Sequence, residues 1–140
     1  MKQKIKLLAI IALAIIAFTS CGEEELSTKQ IFNFNVKANE WIANTDVNGQ
    51  NLFYSCNRKF KNFNPGTSLG HCAVLAYISY GNYEQALPFT RHFEDVDGYL
   101  WTRTVDYDYS LDDINFYVTN SDFATNDRPE SMSFRVVFIW

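Results

Sequence analysis

The sequence predicts an all-β chain, a single-domain antiparallel β-sandwich of about seven strands. Three observations carry that reading. Apolar and polar residues alternate at both ends of the 140-residue chain, short Gly, Pro, Asn and Asp clusters punctuate it, and past residue 20 no window repeats apolar residues at helical spacing over three turns.

The first segment is an address rather than a fold element. Lys2, Lys4 and Lys6 form a basic start, and residues 7–18 are 12 apolar residues without a charge. A bilayer span needs roughly 20 such residues, whereas a secretory core is shorter and ends in small residues at a cleavage site. Phe18-Thr19-Ser20-Cys21 resembles a bacterial lipoprotein box, with Phe18 where Leu is commonest. Residues 1–20 thus read as a lipoprotein signal peptide and Cys21 as the lipid-attachment residue and mature N-terminus. Stable anchoring takes two or more acyl chains, because one gives only marginal membrane binding. Gly22-Glu23-Glu24-Glu25 opens an acidic tether, residues 21–29, and resembles the signal that sends Bacteroidetes lipoproteins to the outer face of the outer membrane.

The β domain then runs over residues 30–140. Phe32, Phe34, Val36 and Ala38 alternate with Asn33, Asn35 and Lys37, as in a half-buried strand. Met132, Phe134, Val136, Phe138 and Trp140 repeat the pattern at the far end. Between them, residues 52–60, 69–80, 86–93, 99–109 and 114–120 are rich in aromatic and β-branched types. Turn chemistry separates them at Asn48-Gly49, Asn64-Pro65-Gly66, Gly81-Asn82, Asp97-Gly98, Asp112-Asp113 and Asn126-Asp127-Arg128-Pro129. Residues 69–80 are apolar on both faces, which suits a central strand buried on both sides or a buried helix, and the neighbouring turn signals favour the strand. Residues 121–125 could form one helical turn capped by Ser121.

Composition narrows the function classes. The chain carries 12 Lys+Arg against 16 Asp+Glu, and losing residues 1–20 leaves 9 basic and 16 acidic groups, a net charge of −7. That balance argues against a nucleic-acid partner. No Gly-x-Ser-x-Gly elbow, phosphate loop or HExxH sequence occurs, and two unspaced histidines do not make a zinc site. His71 beside Cys72 in a strand would point to the opposite face, so no thiol and base pair forms there. Asp95-Val96-Asp97-Gly98 starts like a calcium loop but lacks its later ligands and reads as a hairpin turn. We expect no catalytic residues, no metal site and no cofactor.

Two features remain. If residues 52–60 and 69–80 form a hairpin about Asn64-Pro65, Cys56 lies directly opposite Cys72, at a Cα separation of about 4.5–5.5 Å that admits a disulfide; the alternative is two reduced cysteines. Aromatic residues, including Trp41 and Trp101, could instead form a platform for sugar rings. On one face of residues 99–109 stand Tyr99, Trp101, Arg103, Val105 and Tyr107, making Tyr99, Trp101, Arg103 and Tyr107 the candidate ligand surface, provided that the row faces solvent.

Trp101, Asp106-Tyr107-Asp108-Tyr109-Ser110, Phe116-Tyr117-Val118, Ser121-Asp122-Phe123 and Met132-Ser133-Phe134-Arg135-Val136-Val137 resemble a domain of uncharacterised Bacteroidetes lipoproteins, several of which carry it after collagen-like repeats. The resemblance spans about residues 30–140 and implies an exported lipoprotein with a β domain, without implying an activity. The expectation is a lipid-anchored, surface-exposed outer-membrane protein, non-enzymatic, binding a glycan or protein or serving a structural role. Two alternatives accompany it: a hydrolase assembled from Asp106, Asp108 and Asp122, and self-assembly by edge pairing of the C-terminal strand.

Overall fold

The computed structural model describes residues 28–50, 52–66, 69–123 and 128–140; the signal peptide, Cys21 and most of the acidic tether lie outside the described residues. Among the described residues nine strands form two antiparallel sheets: β1 (Lys29–Val36), β2 (Ile42–Asn44), β3 (Phe53–Lys59), β4 (Ala73–Tyr80), β5 (Tyr83–Ala86), β6 (Phe89–Glu94), β7 (Leu100–Tyr109), β8 (Asp113–Asn120) and β9 (Met132–Ile139). One sheet has the order β1-β9-β4-β5 and the other β2-β3-β8-β7-β6. The all-β sandwich is therefore what the chain forms, with β1 beginning at Lys29, just ahead of the expected domain start.

Period-two burial builds the core. Ile114, Phe116 and Val118 of β8 and Phe134, Val136 and Phe138 of β9 are almost fully buried and face one another across the two sheets. The Phe116 ring stacks on Phe134 at 3.9 Å between centroids with the planes 11° apart. Tyr107 ties β7 to β4, its hydroxyl donating to the Val74 carbonyl at 3.1 Å. At one end Phe60, Phe63 and Phe138 pack together, and Trp140 meets Phe63.

Four departures from the expected strands have physical causes. Residues 86–93 split between β5 and β6, which lie in different sheets, because Pro88 has no N–H to continue a ladder. The three-residue β2 is too short to show a period. Leu69–His71 is a 3-10 turn, so β4 starts at Ala73; it buries one face, through Val74, Ala76 and Ile78, and leaves Leu75 44% exposed on the other. The hairpin between residues 52–60 and 69–80 does not form: β3 pairs with β2 and β8, and β4 pairs with β5 and β9. Phe60 and Phe63 instead carry the intervening chain into the aromatic cluster and across to the other sheet. Cys56 consequently lies opposite Phe116, and Cys56 and Cys72 are separate thiols rather than the expected cross-strand disulfide.

Two loops share one design. Asp46-Val47-Asn48-Gly49-Gln50 and Asp95-Val96-Asp97-Gly98-Tyr99 each fold so that the leading carboxylate accepts N–H bonds from the third and fifth residues, at 2.8–3.0 Å. The glycines take φ of +72° and +84°, a region that side-chain-bearing residues avoid. Asp97-Gly98 is thus a hairpin turn joining β6 to β7. The first and last described residues also meet, with Thr28 and Trp140 exchanging two backbone hydrogen bonds of 2.8 and 2.9 Å.

Candidate functional site: an aromatic and arginine cleft

The inward-facing rows of β6 and β7 run beyond the packed core at the end of the sandwich opposite Trp140. Strand register sets Phe89 against Val105, Arg91 against Arg103 and Phe93 against Trp101. Val105 is 1% exposed and belongs to the core, whereas Trp101 and Arg103 are half-buried at its rim. Phe93 and Trp101 stack at 4.4 Å with planes 16° apart. β4 brings Tyr80 to the same place from the facing sheet.

Both arginines rest on aromatic rings. The Arg103 guanidinium lies 5.4 Å from the Trp101 centroid and 5.9 Å from that of Phe93, and its Nε donates to Asn120 Oδ1 at 3.0 Å. Asn120 is the buried polar residue at the end of β8 and fixes the orientation of that guanidinium. Arg91 sits 4.8 Å from the Tyr80 ring and 5.3 Å from Phe89. Such contacts are worth about 0.5–2 kcal/mol each, depending on desolvation. Burial pushes the Tyr80 hydroxyl up from its ordinary value, against the opposing pull of Arg91 and Arg103.

Two spaces open here and share Phe93. A cavity of about 140 Å³ is lined by Tyr80, Arg91, Arg103 and Glu130. A groove of about 390 Å³ is lined by Phe93, Trp101, Asn120, Glu94, Asp95 and Asp122. The first holds two guanidiniums and one carboxylate, the second is edged with hydrogen-bond acceptors. Together with the stacked rings they suit a ligand that is flat and apolar on one face and polar at its edges.

The expected ligand row is thus divided. Trp101 and Arg103 form the cleft; Tyr107 on the same face ties the sheets together through Val74, and Tyr99 stands in the hairpin loop, 72% exposed. The row faces inward, and only its β6-side end emerges from the core. Trp41 is no platform residue: it is 1% exposed, its indole N–H donating to the Glu130 carbonyl at 3.1 Å. The sequence does not single out Tyr80, Phe89, Arg91 or Phe93 as site residues. The alternation Phe89-Arg91-Phe93 is their sequence signal, but its partners follow from register.

The other expectations are corrected by placement. Asp106 and Asp108 lie on the outer face of the five-stranded sheet, where Asp108 accepts from Asn115 and Tyr117 at 2.7 Å each. Burial, then the bond to Asp108, pushes Tyr117 up to about 12, and burial with the neighbouring Asp108 charge raises Asp106. Asp122 belongs to the cleft instead, so the three carboxylates do not form one site. β9 is paired on both sides, by β1 and β4, and is not an edge available to a second copy. His71 is exposed in the 3-10 turn and His92 is exposed on β6. Among the described residues no group of three His, Cys, Asp or Glu side chains is arranged to hold a metal ion.

Comparison with known proteins adds no assignment: no family model matches the chain, and neither a curated protein nor a solved structure is similar to it.

Proposed function

We propose that the chain is a lipoprotein held in the outer membrane by acyl chains on Cys21 and exposed at the cell surface, where its sandwich binds glycans without catalysis. The lipobox, the acidic tether and the resemblance to Bacteroidetes lipoproteins support the location. The binding role rests on one observation, the stacked Phe93–Trp101 pair beside Arg103 at the open end of the sandwich. Sugar rings present apolar C–H faces that pack on such rings, while their hydroxyls need acceptors of the kind that line the adjoining groove.

Glycan-array binding by the purified full-length chain and by Trp101→Ala tests the role. Wild-type binding that drops tenfold or more in the variant is expected, with the melting transition of both proteins retained. Absence of binding, or equal binding by a folded Trp101→Ala protein, refutes it. Location is tested by palmitate labelling of wild type and Cys21→Ala together with protease treatment of intact cells. Label lost in the variant and a domain open to protease are expected; a labelled but protected domain would place it in the periplasm and remove surface binding.

A further inference from the structure

We infer that the glycan is acidic, its carboxylate seated between Arg91 and Arg103 in the smaller cavity and its ring in the adjoining groove against Trp101. This inference rests on the glycan-binding reading above and specifies its ligand.

Register carries it. Arg91 and Arg103 are direct cross-strand partners on an inward face, and like charges so opposed destabilise a sheet. Aromatic rings cushion both guanidiniums but do not neutralise them. Elsewhere the chain answers a guanidinium with a carboxylate: Arg58 pairs with Glu40 at 2.8 Å, and Arg135 Nε donates to Glu84 at 2.8 Å. Among the described residues neither Arg91 nor Arg103 has such an ion pair, and Glu130, which lines the same cavity, makes none with them. Two planar forks that line one small cavity offer donors that match the oxygens of a carboxylate.

Size and charge set the orientation. The cavity of about 140 Å³ is comparable with a space that admits a benzene-sized group, room for a carboxylate and its attached carbons but not for a disaccharide. The neighbouring groove of about 390 Å³ has room for the rest of a hexose ring. Glu94, Asp95 and Asp122 along that groove repel a carboxylate and attract hydroxyl donors, whereas in the cavity Glu130 stands against two guanidiniums, so the acid edge favours the cavity.

The test is calorimetric titration of the purified full-length chain with oligogalacturonate, with neutral oligogalactan and with a glutamate-rich peptide, repeated on Arg91→Gln. Arg91 is exposed at its edge strand, and a thermal melt checks that the variant folds. Oligogalacturonate is expected to bind at least tenfold more tightly than oligogalactan, with Arg91→Gln erasing that preference. Equal affinity for the two sugars, or a preference that survives in Arg91→Gln, overturns the acidic-ligand inference while glycan binding stands. Binding of neither sugar overturns both. Binding of the peptide alone does likewise and assigns the cleft to an acidic protein partner.

Discussion

Replacing Phe116 by alanine tests the way in which the two sheets face each other. Phe116 is fully buried on β8 and Phe134 is 2% exposed on β9; their rings meet at 3.9 Å across the sandwich. Burying a Phe side chain is worth about 2 kcal/mol in transfer alone. The unfilled space of roughly 100 Å³ would add about 2.4 kcal/mol at ~24 cal/mol per Å³, and the sum falls inside the range of about 3–5 kcal/mol seen for such truncations. For a domain of this size the melting temperature is expected to fall by about 18 °C, at roughly 4 °C per kcal/mol. Urea unfolding followed by tryptophan fluorescence is the assay, since Trp41 is buried and reports on the core. Phe134→Ala and the double variant complete a cycle, in which stacking across the sheets is expected to leave a coupling of about 0.5–1.5 kcal/mol. Ile42→Ala, at a residue 63% exposed, is the control, expected to shift stability by less than about 0.5 kcal/mol. A Phe116→Ala loss below about 1.5 kcal/mol, or strict additivity with Phe134→Ala, would mean that the sheets do not face at this register.

Three further outcomes are expected. Gly98→Ala should lower the melting temperature by about 4 °C, because a φ of +84° costs a side-chain-bearing residue about 1 kcal/mol or more while its Cβ would meet only the Glu94 carboxylate, at an ordinary contact of 3.8 Å; an unchanged melt refutes the loop geometry. In a Cys21→Ala background a thiol reagent should find two free thiols in denaturant without reductant, Cys72 reacting in the folded state and Cys56 only on unfolding, since Cys56 is 3% exposed and burial pushes its thiol up; a count of zero would restore the disulfide. The hydrogen bond from Arg135 holds the Glu84 carboxyl below its ordinary value of 4.5, so its contribution is present above that pH and lost as pH falls through the depressed value. Urea midpoints should accordingly show Glu84→Gln slightly less stable than wild type at pH 7, the gap closing as pH falls through the depressed value; a gap independent of pH would refute the assignment.

Period-two alternation made β1, β8 and β9 legible in the sequence, because each buries one face and the pattern is local. Pairing is not local. Nothing between residues 52 and 80 states that β3 must seek β8, more than 50 residues on, rather than turn back on β4; that choice follows from where Phe60 and Phe63 find apolar partners. β5 is not legible in the sequence because both its faces are exposed and its residues show no alternation to read. The site was half legible for the same reason. Trp101 and Arg103 share a face on one strand, which the sequence states, but Arg91 enters through the β6–β7 register and Tyr80 through the packing of one sheet on the other. That this face points inward, with Tyr107 spent on the Val74 carbonyl, depends on the closed sandwich.

If acyl chains on Cys21 hold the domain, as proposed, the bonded meeting of Thr28 with Trp140 sets which end of the sandwich lies nearer the membrane. Whatever chain precedes Thr28 leaves from the end where β1 begins beside the close of β9. The cleft gathers at the far end, where β4 finishes at Tyr80 and β7 starts beside Trp101, separated from the first end by the eight residues of β1, about 26 Å at ~3.3 Å per residue. A domain tethered through its N-terminus thus turns its arginines and stacked rings outward, like the head of a short post. The hairpin loop that carries Val96, fully exposed at the lip of the groove, is then among the first parts that an approaching polymer would touch.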